Sequence, residues 1–430
     1  MTPDSGWRRV VWQRGVAAFW NGLAGALPRA ALLLAGLFVA NRFGPDDFAR
    51  YSVALVTASL AGNLPGSVLS TVASKFVPEL AGGRLERAGP GFAALLALAG
   101  TLALTVLIAL WLLAPPLGRL FALEPPVDAL LHLSAAVAAA AIAAGAANGL
   151  LLGSGRYRHA AEVNVLAVLV FGALIWGLAS ALGVASALVA LCALYASLAA
   201  GALWRARRGI RDDMRTVDRP TLRRQVRSMV AFFVPTLLAA GIVTPVVWLC
   251  TLILARGDEP LANVARFNAA MTWYSVLSFA PGVLAQVEFV RLSARKGAGE
   301  LQKLRAEFLQ FVLQNLALML PIVAIAMALA SWLMGLFGLH DEASAHALRI
   351  LLVGILAASL GNPAGLFLAV VDRIWVASVL NVGWALVALS LAWLLRAHGT
   401  QGVVLAFAIA YTAHLLVASA CALRLTPRHA

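Results

Sequence analysis

Arg29 follows Pro28 near the middle of an apolar stretch, residues 16–40, with about twelve residues on either flank. A helix rises 1.5 Å per residue, so this guanidinium would lie roughly 15–18 Å from either end of a membrane span. A side chain cannot snorkel to the headgroups over that distance. An arginine at such depth costs at least about 2.5 kcal/mol, so it should face water or the bundle interior and meet an anion. Backbone carbonyls or a buried acid would also satisfy it, but no acid stands at comparable depth in the first six apolar stretches. A substrate anion is therefore the expected partner.

Other polar residues fall in or beside apolar stretches. Arg50 and Arg266 occupy equivalent places 216 positions apart, and Lys75 and Arg291 form a second equivalent pair. The first pair would either flank a pseudo-symmetric anion site or snorkel to the interface; the second is expected to set topology. Glu288 lies one turn before Arg291 and is expected to pair with it. Its alternative is a carboxylate coupled to protons or sodium, and His132 and His414 are candidates for relaying protons. Asn148, Asn164, Asn315 and Asn381 suit sugar hydroxyls, but such residues more often serve hydrogen bonding between helices.

The elements that must position these groups are helices in a membrane. Hydrophobic residues make up 62% of the 430, charged residues 12%, and the mean hydropathy is +0.87. Twelve stretches reach the length of about 20 residues that a bilayer core demands. They lie near 16–40, 51–74, 91–113, 128–152, 161–182, 184–204, 229–254, 264–290, 308–333, 347–371, 374–395 and 400–423. The chain is also a duplication. Ala49-Arg50-Tyr51 returns as Ala265-Arg266-Phe267, Pro65-Gly66 as Pro281-Gly282, Leu120-Phe121 as Leu336-Phe337, and Gly149-Leu150 as Gly365-Leu366, all without a gap. Internal repeats in an apolar chain point to a transporter with its substrate site at the repeat interface.

Basic residues give the orientation. With the N-terminus in the cytoplasm, 25 of the 33 Lys and Arg fall on the inner side, nine of them between Arg205 and Arg227. Both termini are then cytoplasmic. The same placement accounts for the net charge of +14 without nucleic acid, because loop cations meet anionic headgroups. Cys192, Cys250 and Cys421 lie in apolar segments at no metal or redox spacing, and neither a metal nor a cofactor is expected. No long external loop, phosphate-cradling glycine loop or surface carboxylate pair placed for acid–base work is present, so an enzyme is not expected. Asp46-Asp47 and Asp341-Glu342 follow turns and read as helix caps.

The expected fold class is an all-α polytopic membrane protein: twelve transmembrane helices in two parallel pseudo-symmetric six-helix lobes. Residues 1–15 would form a cytoplasmic interfacial segment with Trp7 and Trp12 at headgroup depth, and 16–204 the first lobe. Residues 205–228 would be a basic cytoplasmic linker, 229–423 the second lobe and 424–430 a cytoplasmic tail. An even number of spans per lobe makes the repeats parallel, and rocking of the lobes about a shared cavity would give alternating access.

Two motifs carry a family resemblance. Asn41-Arg42-Phe43-Gly44-Pro45-Asp46-Asp47-Phe48-Ala49-Arg50-Tyr51 resembles the R-x-x-G-P-x-x-F-G-x-Y junction of polysaccharide flippases in the multidrug/oligosaccharidyl-lipid/polysaccharide exporter superfamily. Leu151 to Arg158 resembles their L-x-G-x-G-R-F-R inner loop. Ala49 replaces the usual glycine, and Arg42 stands one place nearer the Gly-Pro turn. The related lipid II flippases carry two further helices. The resemblance implies flipping of an undecaprenyl-pyrophosphate-linked oligosaccharide to the outer leaflet of the bacterial inner membrane. It implies a monomer, with polysaccharide polymerase machinery as a further partner. It also implies a cationic cavity, to which Arg29, Arg50 and Arg266 correspond. The alternative within the same fold is a cation-coupled multidrug exporter, which would want acids deep in its first lobe; segments 1 to 4 hold none at depth.

Overall fold

The computed structural model describes residues 4–81, 89–123, 127–210, 219–297 and 301–425, and among them all regular structure is helical. In the N-terminal half run α1 (Asp4–Phe43), α2 (Pro45–Ala58), a π-helix (Ser59–Asn63), α3 (Leu64–Ala81) and α4 (Gly89–Phe121). They continue as α5 (Asp128–Gly153), α6 (Tyr157–Gly177), α7 (Ala179–Leu182) and α8 (Ala185–Ile210). The C-terminal half holds α9 (Arg219–Ala240), α10 (Val243–Ala255), α11 (Pro260–Leu277), α12 (Phe279–Gly297) and α13 (Leu301–Ala328). It ends with α14 (Ala330–Gly335), α15 (Glu342–Val370), α16 (Ile374–Leu394), a 3-10 turn (Arg396–His398) and α17 (Gly399–Leu425). The middle of the basic linker (211–218) and the last five residues of the expected tail lie outside the described residues, as do residues 1–3 of the N-terminal segment.

Ten helices among the described residues are long and apolar enough to cross a membrane. α9 and α10 pass the same test only when taken together, bent by 50° at their break. The eighth expected segment, 264–290, is α11 with α12, interrupted at Ser278. Segments 7 and 8 are therefore broken helices, segment 8 beside the Pro281-Gly282 step of the repeat. Proline is the cause in both. It removes its own N–H and its ring clashes with the carbonyl four residues back. Pro281 acts on Leu277, the last residue of α11, and Pro245 acts on Gly241, which separates α9 from α10. In the first copy Pro65 acts on Ala61, and there the chain widens into the π-helix instead of breaking.

Contacts divide the chain into two compact units. The first is Met1–Val39, Val53–Leu120 and Glu124–Thr244; the second is Ala40–Ser52, Phe121–Leu123 and Pro245–Ala430. In the first unit α5 packs against α3 and α8, and α6 against α8. In the second, α15 packs against α17 and α16 against α17, as their repeat counterparts do, and α15 also packs against α12, the counterpart of α3, and against α13. Ala40–Ser52 is fixed to the second unit by Asn41, whose Nδ2 donates to the Leu336 carbonyl at 2.6 Å, and by Phe48, whose ring lies 5.0 Å from that of Phe337.

Small residues let helices in the first unit approach closely, as membrane interfaces favour. Gly145, Gly149 and Gly153 recur every fourth residue along α5, opposite Gly66, Ser70 and Ser74. A Cβ built on Gly145 would stand 2.1 Å from the Gly66 carbonyl oxygen, and one on Gly62 would stand 2.3 Å from the Ala138 Cα. The repeat counterparts of Gly66 and Gly149 are Gly282 and Gly365, and a Cβ on either would meet nothing within 4 Å. The same residue types thus pack tightly in one copy and openly in the other.

Candidate functional site

Arg29 lies inside α1, within the apolar span Phe19–Phe43. Ten residues separate it from Phe19 and fourteen from Phe43, about 15 and 21 Å at the rise of a helix. It is exposed, and its Nη1 donates to the Gly25 carbonyl one turn back at 3.1 Å. The expected mid-span cation is thus on the surface of its helix at mid-depth.

Arg50 and Arg266 both belong to the second unit and both meet carboxylates. The Arg50 side chain is 15% exposed, and its Nη1 lies 2.8 Å from Asp47 Oδ1, one turn earlier on α2. At the position matching Asp47 the second copy has Asn263. Arg266, 19% exposed, therefore takes other partners: Glu259 at 3.5 Å and Asp341 at 3.3 Å. Asp341 also caps α15, accepting from the Ser344 backbone N–H at 2.8 Å and from its hydroxyl at 2.7 Å. Arg266 so ties α11 to the start of α15. Burial alone would raise the Asp341 carboxyl, but the two Ser344 hydrogen bonds and the Arg266 charge hold it below its ordinary range. A depressed carboxyl stabilises the folded state above its unfolded value and loses that effect as pH falls through the folded one. Asp341→Ala is expected to cost about 1 kcal/mol at neutral pH, the usual worth of a helix cap. The deficit should shrink as pH drops below 3.8, which thermal unfolding in detergent at both pH values would show.

Glu288 is buried and pairs with Arg291 at 3.4 Å, the expected i,i+3 ion pair. Arg291 also reaches Glu307 at 3.4 Å and Gln310 at 3.4 Å, so α12 and α13 share one cation. His132 on α5 lies against Trp111, ring centroids 4.5 Å apart. Asn164 is buried and donates to the Ala160 carbonyl at 2.8 Å, and Asn315 does the same to Phe311 at 3.0 Å; both amide groups bond within their own helices. Asn148 is half-buried on α5. Arg29, His132, Asn148 and Asn164 stand in the first unit, Arg50, Arg266 and Glu288 in the second. Among the described residues, no three His, Cys, Asp or Glu side chains gather as metal ligands.

Comparison with known proteins follows from this architecture. Residues 247–394 match the MatE family. The chain is 25% identical over 407 residues to the EPS I polysaccharide export inner membrane protein EpsE of Ralstonia nicotianae (strain ATCC BAA-1114 / GMI1000), covering 92% of this chain and 90% of that protein. Both likenesses agree with the resemblance of the two motifs to the multidrug/oligosaccharidyl-lipid/polysaccharide exporter superfamily. The chain's fold is shared with a solved structure described as the inward-facing conformation of a multidrug resistance MATE family transporter, with a TM-score of 0.79 at 17% identity over 94% of this chain and 97% of that one. A second, a superfamily transporter from Pyrococcus furiosus described by the reverse polarity of its binding pocket, gives 0.67 at 18% identity over 96% and 95%.

The two family-like motifs have structural reasons. Gly44 (φ +95°) closes α1, its N–H donating to the Ala40 carbonyl, and its own carbonyl accepts from Phe48 at the start of α2. Gly155 (φ +71°) ends the turn after α5, and Arg156 then donates to the Arg205 carbonyl at 3.2 Å, joining that turn to α8. Positive φ favours glycine at both places. The sequence reading overlooked one polar contact in the interior. Tyr274 and Tyr411 hydroxyls lie 2.9 Å apart, with the Trp384 ring 4.7 Å from Tyr411. Their signal was available, since the chain has only five tyrosines and these two fall in apolar segments.

Proposed function

We propose that this transporter flips an undecaprenyl-pyrophosphate-linked oligosaccharide across the bacterial inner membrane for surface polysaccharide synthesis, by alternating access, with both termini in the cytoplasm. The observation that carries the reading is the likeness, over nearly the whole chain, to a protein named for polysaccharide export. The mid-span Arg29 supports it, because a pyrophosphate is the part of such a lipid that wants a guanidinium at depth. Arg50 and Arg266 would serve the same headgroup by exchanging the carboxylates they hold, and Asn148 and Asn164 would meet sugar hydroxyls. Glu288 and His132 are the groups proposed for coupling to an ion gradient.

A drug-export reading has the multidrug transporters of the same fold in its favour. It lacks an acid in the apolar parts of α1 to α5, where a cationic substrate and its coupling ion would need one. The test is transport by the purified full-length protein in proteoliposomes, offered a fluorescent prenyl-pyrophosphate oligosaccharide or a lipophilic cation. Protein-dependent loss of the lipid from one leaflet is the expected result. Cation uptake without lipid flipping would overturn it.

A further inference from the structure

A cavity of about 310 Å³ opens wholly within the second unit, at the end where α11, α15 and α17 begin. Its walls include Asp258, Glu259, Asn263, Arg396, His398 and Gln401. That volume is at the small end of ligand sites.

The duplication supplies an internal control for these residues. Ser180-Ala181-Leu182-Gly183-Val184-Ala185 of the first copy corresponds to Arg396-Ala397-His398-Gly399-Thr400-Gln401 of the second. The two turns have one backbone, with φ +56° and ψ −136° at Gly183 and φ +56° and ψ −138° at Gly399. The first copy builds that turn from serine, leucine, valine and alanine. Arginine, histidine, threonine and glutamine are therefore not needed for the turn itself. Some are used to bind the loops together: Asn263 Oδ1 accepts from the Thr400 N–H at 3.0 Å and from its hydroxyl at 2.9 Å, and Asn263 Nδ2 donates to the Asp258 carbonyl at 2.7 Å. Gly399 leaves room for that amide, since a Cβ there would meet Asn263 Oδ1 at 2.6 Å. His398 and Gln401 make no side-chain hydrogen bond within the protein among the described residues.

The rim is also strained. Glu259 sits in the left-handed region, φ +48° and ψ +54°, immediately before Pro260. A non-glycine residue rarely adopts that conformation, and a following proline disfavours it further. Its counterpart in the first copy, Phe43, is the last residue of α1. Strain of this kind collects at ligand sites.

The charge of the lining selects the ligand class. Two carboxylates, Asp258 and Glu259, face two guanidiniums, Arg266 and Arg396. Arg266 is already engaged by Glu259 and Asp341. Arg396 donates to the Trp393 carbonyl at 2.8 Å and lies 4.2 Å over the Trp393 ring. A balanced wall of this sort offers an anion little net attraction. It offers both donors and acceptors on planar groups, which is what a ring of hydroxyls requires, since each hydroxyl donates one bond and accepts up to two.

We propose that this pocket binds a neutral sugar ring, with His398 and Gln401 as its direct contacts. The proposal goes beyond the transport reading and stands on the pocket alone, so binding is measured without transport. The full-length protein in nanodiscs would be titrated with methyl glucoside, methyl galactoside and methyl N-acetylglucosaminide by saturation-transfer NMR. The variant is His398→Leu with Gln401→Ala, which restores the residues of the first copy and so keeps a turn known to form. At least one glycoside is expected to give a saturable signal, weakened at least about tenfold in the double variant by the loss of two hydrogen-bonding partners. Absence of any glycoside signal would overturn the proposal. So would equal binding by the double variant, or saturable binding of inorganic phosphate at these residues in place of the sugars.

Discussion

Arg29→Ala is expected to reduce flipping of a prenyl-pyrophosphate oligosaccharide to background while leaving the protein at normal yield. The two effects should separate because they have opposite physical origins. Removing a charge from mid-span relieves an insertion cost of about 2.5 kcal/mol or more, so folding into the bilayer should not suffer. The hydrogen bond that Arg29 makes to Gly25 stays within its own helix, and the Gly25 carbonyl still serves the helix ladder without it. Transport loses a charge-assisted contact to phosphate, each such bond being worth about 1.5–3 kcal/mol. A bidentate pair therefore implies a fall of roughly a hundredfold or more. Arg29→Lys should recover part of the rate, because an ammonium keeps the charge but not the planar fork. Proteoliposome flipping, normalised to reconstituted protein, reads the result; an alanine variant that flips at the wild-type rate would remove Arg29 from the site.

Which features the sequence reveals follows from the range of the interaction behind each. The spans were legible because a bilayer leaves the backbone little choice but helix. The repeat was legible too, and it returns as the matching pairs α5 with α8 and α15 with α17. The breaks were only half legible. Pro65 and Pro281 stand in equivalent places, yet one gives a π-helix and the other an interruption, since the outcome depends on how neighbours satisfy the freed carbonyls. The Glu288–Arg291 pair was predictable from i,i+3 spacing. The Arg266–Asp341 pair was not, because its partners are far apart in sequence and meet only when α11 and α15 pack. The sequence did hint at it, in the change from Asp47 to Asn263 that leaves Arg266 without its near acid.

Four glycine-to-alanine variants should divide by copy, although they change the same residue types at matching places. Gly66→Ala and Gly149→Ala put a methyl where backbone already lies: 2.6 Å from the Ala141 carbonyl oxygen in the first case and 2.6 Å from the Ser70 Cα in the second. Neither contact is the far end of a flexible side chain, so α3 and α5 must move apart. Overpacking of this kind costs about 1–3 kcal/mol, and the Val68, Leu69, Val72 and Ile142 core beside the seam would be disturbed with it. Gly282→Ala and Gly365→Ala meet open space. There the methyl only removes the flexibility of a glycine inside a helix, a gain of about 0.5–1 kcal/mol. The expected result is a lower melting temperature for the first pair and an unchanged or higher one for the second, by thermal unfolding in one detergent. Gly145→Leu carries the argument to its limit. Its Cβ alone would lie 2.1 Å from the Gly66 oxygen, and the rest of the side chain has nowhere to go between the two helices. That variant is expected to give no monodisperse protein. Equal melting temperatures for all four alanine variants would show that the seam between α3 and α5 opens at little cost, and would contradict the packing described for the first unit.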